Sequence, residues 1–361
     1  MANSDGMNYS PIGRPQPVVG PGDFSAAAAH LDHGHIYGMC NGLTEAGATV
    51  KWVYDPDPSK VAAFQKKFPE AKAARTYDEI LDDGEVRLVA AAAIPSLRAG
   101  FGCQAMRKGK DYFTDKSPFT TFEQLAEARR TASETGRKYA VYYSERLHVE
   151  SAVHAGHLVK GGAIGRVVQV LGIGPHRLNA PSRPSWFFDK ACYGGILCDI
   201  GSHQFEQFLF YSGATDAKVL QASVANYAHP EHPGLEDFGQ ATLQGNNGAT
   251  NYIRVDWLTP NGLGTWGDGR TLILGTEGYI ELRKYIDIAR EKSGDHVYLV
   301  DNNGEHHFEV AGKIGYPFFG ALILDCISRT ENAMTQSHAF KAAELCLLAQ
   351  AHADNPHSPG L

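Results

Sequence analysis

Three side chains of this 361-residue sequence, Lys116, Asp199 and His203, are of the types that together handle an alcohol. Drawing a hydride from a carbinol carbon needs a base for the hydroxyl proton and a donor for the oxygen as charge develops on it. Histidine, with an ordinary pKa of about 6.5, suits the base near neutral pH. Asp199 and His203 are four residues apart, so on one helix they share a face. The carboxylate can then hold the imidazole's tautomer or take a substrate hydroxyl itself. Lys116 follows a strand end and can donate to the reacting oxygen. Gly194 and Gly195 would let the backbone pass close to a ligand or cofactor. Plainer roles stay open: a helix-terminal carboxylate for Asp199, an interior histidine for His203, a turn lysine for Lys116.

Positioning such groups needs a scaffold, and the hydrophobic pattern supplies one. Strand-like runs at 24–30, 50–54, 88–94, 111–114 and 139–143 alternate with helical segments at 33–46, 58–68, 96–108 and 121–135. That alternation predicts βαβ units, a parallel sheet with helices on both faces. After residue 144 the pattern changes. Helices over 151–160 and 199–211 accompany strand-like segments at 167–174, 219–227, 238–243, 251–257, 271–274, 279–282, 297–301 and 307–310. Gly-Asn-Asn-Gly at 245–248 and Asp-Asn-Asn-Gly at 301–304 read as hairpin turns. Two helices, near 318–328 and 338–353, close the chain. The expected organisation is an extended N-terminal arm (1–23), a Rossmann domain (24–143) and an α+β domain with a broad open-faced, mostly antiparallel sheet (144–361).

A dinucleotide site belongs at the first strand-to-helix turn, where helix N–H groups meet the pyrophosphate. The turn reads His30-Leu31-Asp32-His33-Gly34-His35 and keeps a single glycine of the usual GxGxxG. Asp55, at the end of the second strand, is placed to accept the adenosine ribose hydroxyls and to repel a 2′-phosphate. NAD is therefore favoured over NADP, with Asp55 as a plain turn residue in Asp-Pro-Asp-Pro as the alternative. Leu31, Asp32, His33, Gly34, His35, Ile94 and Pro95 complete the expected cofactor contacts, with Lys116 beside them. The three crowded histidines suit donors to phosphate or substrate better than metal ligands, and no metal site is expected.

Ile94-Pro95-Ser96, Asp115-Lys116-Ser117-Pro118 and the stretch Tyr193 to His203, a GG-I-L-x-D-x-G-x-H block, occur in an order that resembles the glucose–fructose oxidoreductase / inositol dehydrogenase (Gfo/Idh/MocA) family. The resemblance spans about 24–353. The Asp-Lys-Ser-Pro turn and the degenerate glycine loop depart from the family pattern. The resemblance implies an NAD-dependent dehydrogenase acting on a carbinol carbon of a sugar, glycoside or inositol, with Lys116, Asp199 and His203 as the catalytic group. His176, Arg177, Asn179 and Trp186 are expected to line a hydroxyl-rich substrate, and Trp266 to stack on it. A redox-assisted glycosidase or lyase would use the same three residues. A non-catalytic sugar-sensing protein on this fold is the third reading.

Composition narrows the partners. A net charge of −7 argues against nucleic acid and anionic membranes. No apolar run reaches the roughly 18 residues of a membrane span, and the N-terminus lacks an export signal, so a cytoplasmic location is expected. Six cysteines without metal-like spacing read as reduced thiols. A sheet covered by helices on one face leaves the other apolar, which predicts a homodimer or homotetramer, with a covering loop such as 258–269 as the alternative. The histidines at 229 and 232 read as exposed loop, and those at 306 and 307 as a solvent-facing strand end.

Overall fold

A computed structural model describes residues 6–7, 11 and 16–355. Most of the expected arm, at 1–5, 8–10 and 12–15, lies outside the described residues. The chain divides into two compact units, one of residues 7–142 with 315–340, the other of 143–314 with the chain from 341 onward.

In the first unit a six-stranded parallel sheet runs in the order β3-β2-β1-β4-β5-β6. Its strands are β1 (Ser25–Ala29), β2 (Thr49–Tyr54), β3 (Lys72–Ala73), β4 (Val86–Ala91), β5 (Asp111–Asp115) and β6 (Tyr139–Tyr142). The alanines of β1 and β4 are fully buried, as expected of central strands covered on both faces. Helices α1 (His35–Glu45), α2 (Pro58–Lys67), α3 (Tyr77–Asp82), α4 (Pro95–Arg107) and α5 (Phe122–Thr135) connect them. Their ends carry local signals: Asp57 caps α2 ahead of Pro58, Thr121 caps α5, and Gly136 closes α5 at φ 63°. The short β3 and α3 are too brief to show a period, and the sequence reading passed over them. Helix α1 starts at His35 rather than at residue 33, and ahead of it the His33 N–H donates to Ala92 O beyond β4.

Residues 315–340 depart from the expected boundary at 144. Helix α11 (Pro317–Ser328) belongs to the first unit, where the Phe319 ring lies against Gly42 of α1 so closely that a Cβ there would sit 2.3 Å from it. Beyond α11, Arg329 grips the Asp111 carboxylate of β5 with both terminal guanidinium nitrogens, at 2.6 and 2.9 Å. Local periodicity carries no information on such distant pairings.

The second unit holds an eight-stranded sheet in the order β14-β13-β12-β11-β7-β10-β9-β8. Its strands are β7 (Val167–Pro175), β8 (Ala217–Ala225), β9 (Phe238–Gly245), β10 (Thr250–Asp256), β11 (Arg270–Gly275), β12 (Gly278–Arg283), β13 (His296–Asp301) and β14 (Gly304–Glu309). Every pair is antiparallel except β7 with β10. Both expected hairpin turns form, between β9 and β10 and between β13 and β14. Helices α6 (Ser144–Leu147), α7 (Glu150–Lys160), α8 (Lys190–Tyr193), α9 (Ile196–Asp199) and α10 (Gly201–Ser212) follow their places in the chain. The last, α12 (Gln336–Asp354), contributes its later part to this unit. Gly172 and Gly174 of β7 let α10 lie close on the sheet, since a Cβ at either would meet Gln204 at 2.3 or 2.9 Å. Alternate residues point to the other face, where Tyr252, Leu274 and Tyr279 are more than a third exposed.

Two expectations change here. Helical backbone begins at Ile196, three residues before Asp199, and continues into α10 through Ile200, itself in the αR region. Trp266 is no exposed stacking platform: it is buried against Tyr285 and the His176 ring, with centroids 4.3 and 4.5 Å away. The polar, glycine-rich segment around it needs that indole as its own small core.

Candidate active site

The first strand-to-helix turn is built around residues that replace glycine. His30 holds φ 54°, a left-handed conformation normally left to glycine, and its ring stacks on Phe101 at 3.5 Å. Burial lowers its pKa to about 4, with Asp32 opposing and Lys60 reinforcing, so it is neutral near pH 7. The Asp55 carboxylate is buried and accepts the Leu31 N–H at 2.6 Å and the Asp57 N–H at 2.9 Å. Asp32 accepts from Lys60 at 2.6 Å and from the Ile94 N–H at 3.2 Å, which ties the turn to the start of α4 and its first residue, Pro95. Beside it His33 and His35 set their Nδ1 atoms 3.3 and 2.9 Å from Asp115. Burial works against the Asp115 charge, but His35, Arg98 and His33 hold its pKa well below the usual carboxylate range. Lys116 follows directly, buried rather than at the surface, and Arg98 donates to its carbonyl.

These residues suit a dinucleotide. Helix α1 opens behind Gly34 with no acidic residue in its first turn; the His35 N–H donates to His33 Nδ1 at 3.2 Å, and the positive end of the helix favours an anion. Asp55 keeps lone pairs for ribose hydroxyls beyond the two bonds it already accepts. Lys60 neutralises Asp32, whose charge would otherwise repel a phosphate.

In the second unit Asp199 and His203 occupy the junction of α9 and α10, 6% and 2% exposed. A network anchors that junction: Glu236 accepts the Ile196 N–H at 2.8 Å, and Gln350 accepts the Leu197 N–H at 3.1 Å while donating to Glu236. Gly194 and Gly195 adopt φ 87° and 93°, and a Cβ on Gly195 would lie 2.3 Å from Gln350. This packing and the positive φ require glycine at 195. One turn along, Gln204 donates to Glu145 at 2.9 Å, and Glu145 accepts from Lys284 at 3.0 Å, both side chains deeply buried. Lys284 also donates to Gln207 at 2.7 Å. Burial pushes the Glu145 pKa up, but Lys284, His203 and His176 overcome it and hold the carboxyl at about 2. His176 Nε2 lies 3.9 Å from Glu145.

The other expected substrate residues differ in freedom. Arg177 is 3% exposed and its guanidinium donates to the carbonyls of Pro260 and Leu263, which holds the following loop. Asn179 stands at φ 49° and donates to Ser182 Oγ; Trp186 lies half-buried in a short turn. His229 is not a plain loop histidine, since its Nδ1 is 2.9 Å from Asp237, and His232 stacks on Phe188 at 3.7 Å.

Residues 18–143 match the family model for the oxidoreductase family with an NAD-binding Rossmann fold, and residues 153–281 match the model of the GFO/IDH/MocA C-terminal domain. The chain belongs to the Gfo/Idh/MocA family. Among solved structures, this member is 51% identical to a provisionally assigned oxidoreductase from Erwinia carotovora atroseptica SCRI1043, with TM-score 0.89 over 92% of this chain and 99% of that one. Levoglucosan dehydrogenase, solved with NADH and L-sorbose, shares the fold at TM-score 0.75 and 18% identity over 92% and 97% of the two chains. Among curated relatives, D-xylose dehydrogenase of Paenarthrobacter nicotinovorans is 28% identical over 40% of this chain and 38% of its own. The scyllo-inositol 2-dehydrogenase (NAD(+)) of Bacillus subtilis strain 168 is 24% identical over 65% and 66%. The chain thus spans about two fifths to two thirds of the curated relatives it matches. As a Gfo/Idh/MocA member it carries the Rossmann domain of an NAD-binding oxidoreductase family. Glu145, Lys284, Glu236 and Gln350 of this family member escaped the sequence reading. Nothing local marks them beyond a charged pair, Glu145-Arg146, in an otherwise apolar stretch.

Proposed function

We propose that this protein is an NAD-dependent dehydrogenase of a sugar, glycoside or inositol, with His203 as the base and Lys116 and Asp199 assisting. The reading rests on one observation above the others: a carboxylate and an imidazole, both nearly buried, share one helical junction in a member of an oxidoreductase family. NAD held at the first strand-to-helix turn would supply the acceptor for the hydride of the carbinol carbon. His203 accepts the hydroxyl proton, and Asp199 favours the cationic form of the imidazole or holds a neighbouring hydroxyl. The Lys116 ammonium donates to the oxygen and offsets charge building on it. His176, Arg177, Asn179 and Trp186 frame the hydroxyl-rich substrate; Arg177 does so by holding the loop to which it is bonded. Leu31, Asp32, His33, Gly34, His35, Ile94 and Pro95 line the cofactor. Asp55 selects NAD over NADP, since a carboxylate there repels a 2′-phosphate. The exposed Tyr252, Leu274 and Tyr279 on the face of the second sheet away from the helices support a homodimer or homotetramer.

The test is reduction of NAD, with NADP in parallel, across sugars, methyl glycosides and inositols. We expect NAD reduction with at least one of these polyols. His203→Ala should then lower turnover by on the order of 10²–10⁴ while NAD binding is kept. Near-wild-type turnover in that variant would remove His203 from the mechanism. Glycoside cleavage without net NAD reduction would replace the dehydrogenase reading with redox-assisted bond breaking.

A further inference from the structure

The proposed function makes no use of the hairpin that ends the second sheet. There β13 and its edge partner β14 pair His296 with Glu309 and Tyr298 with His307. Residues directly opposite, and those two along, share a sheet face, so these four side chains form one patch. His296 is 1% exposed, and its Nδ1 lies 3.0 Å from Nε2 of His307. Its other nitrogen, Nε2, is 3.1 Å from Ser293 Oγ and 3.6 Å from a Glu291 carboxylate oxygen. The His307 ring is held in turn by Tyr298, near-parallel at 4.6 Å, whose hydroxyl donates to Asp287 at 2.6 Å. One donor atom each from His296, His307 and Glu309 falls within 4.8 Å of the others.

We propose that His296, His307 and Glu309 bind a divalent transition metal of the zinc type. Two imidazoles and a carboxylate are an N₂O donor set, which suits Zn²⁺ and its neighbours rather than the all-oxygen shells of Ca²⁺ and Mg²⁺. Zinc–nitrogen bonds of about 2.0–2.1 Å in tetrahedral geometry separate two nitrogens by roughly 3.3 Å, so the pair has only a few tenths of an ångström to open. The surroundings resemble those of metal-bound histidine, in which the ring nitrogen away from the metal is fixed by an oxygen partner, here Ser293 and Glu291. Around the patch Asp287, Glu291 and Glu309 stand against Arg290, with Arg283 engaged by Glu281 at 2.5 Å. A fourth position remains for water. Metal here would clip edge strand β14 to its neighbour β13.

The other histidine cluster, His33 with His35 and Asp115, lacks this character, because Arg98 already stands 3.3 Å from the same carboxylate. The two clusters therefore separate in one experiment on the metal-stripped full-length protein, titrated with Zn²⁺ by calorimetry and with Co²⁺ by visible absorption. We expect one saturable equivalent. His307→Ala and Glu309→Gln should each weaken it by about tenfold or more, and His35→Ala should leave it intact. Glu309 is exposed, so Glu309→Gln keeps the readout should His307→Ala fold poorly. The proposal falls if no saturable binding is seen, if Glu309→Gln binds as wild type, or if His35→Ala alone abolishes binding.

Discussion

Glu145 shows how one buried charge shapes the candidate site. It lies 139 residues from Lys284 in sequence and 3.0 Å from it in space. Its folded pKa of about 2 is below its ordinary 4.5, so the pair stabilises the fold fully above pH 4.5 and loses that contribution as pH falls toward 2. Glu145→Gln strands Lys284 as a buried charge, and breaking such a pair costs roughly 3–5 kcal/mol. Chemical denaturation at pH 7 should show a loss of that order relative to wild type. Repeated between pH 4.5 and 2, the gap should narrow as the wild-type carboxyl protonates. A gap independent of pH would mean that Glu145 acts through packing alone.

At the scale of elements, close approaches decide which helix goes where. Helix α11 reaches α1 only because Gly42 has no side chain under the Phe319 ring. Gly42→Ala should therefore cost about 1–3 kcal/mol through overpacking. Gly84→Ala, where a Cβ meets nothing within 4 Å, should be close to neutral. Urea unfolding of both variants checks this, the expected result being a lower midpoint for the first alone. The same logic governs β7, where Gly172 and Gly174 make room for Gln204 and so bring α10, with His203, down onto the sheet. Helix caps and hairpin turns, by contrast, follow from neighbouring residues. Asp57, Thr121 and Gly136 end their helices where the sequence marks them.

For the molecule as a whole, the sheet of the second unit has one face under helices and one with Tyr252, Leu274 and Tyr279 in solvent. Light scattering behind size exclusion should give two or four times the 39.2 kDa chain mass. Leu274→Glu, which sets a charge in that face, should shift the protein toward the single-chain mass. A wild type of single-chain mass would show that the face needs no second copy.

The sequence alone determined the class of each unit, because hydrophobic period and turn chemistry are properties of neighbouring residues. It also offered Asp55, at the end of the second strand, as a candidate, and the family resemblance offered Lys116, Asp199 and His203. Only tertiary structure decided that 315–340 joins the first unit, that Trp266 is interior, and that His296 meets His307. Each of these depends on strand order and on contacts between distant segments. A local pattern tells which side of an element is apolar; it does not tell which element will cover it.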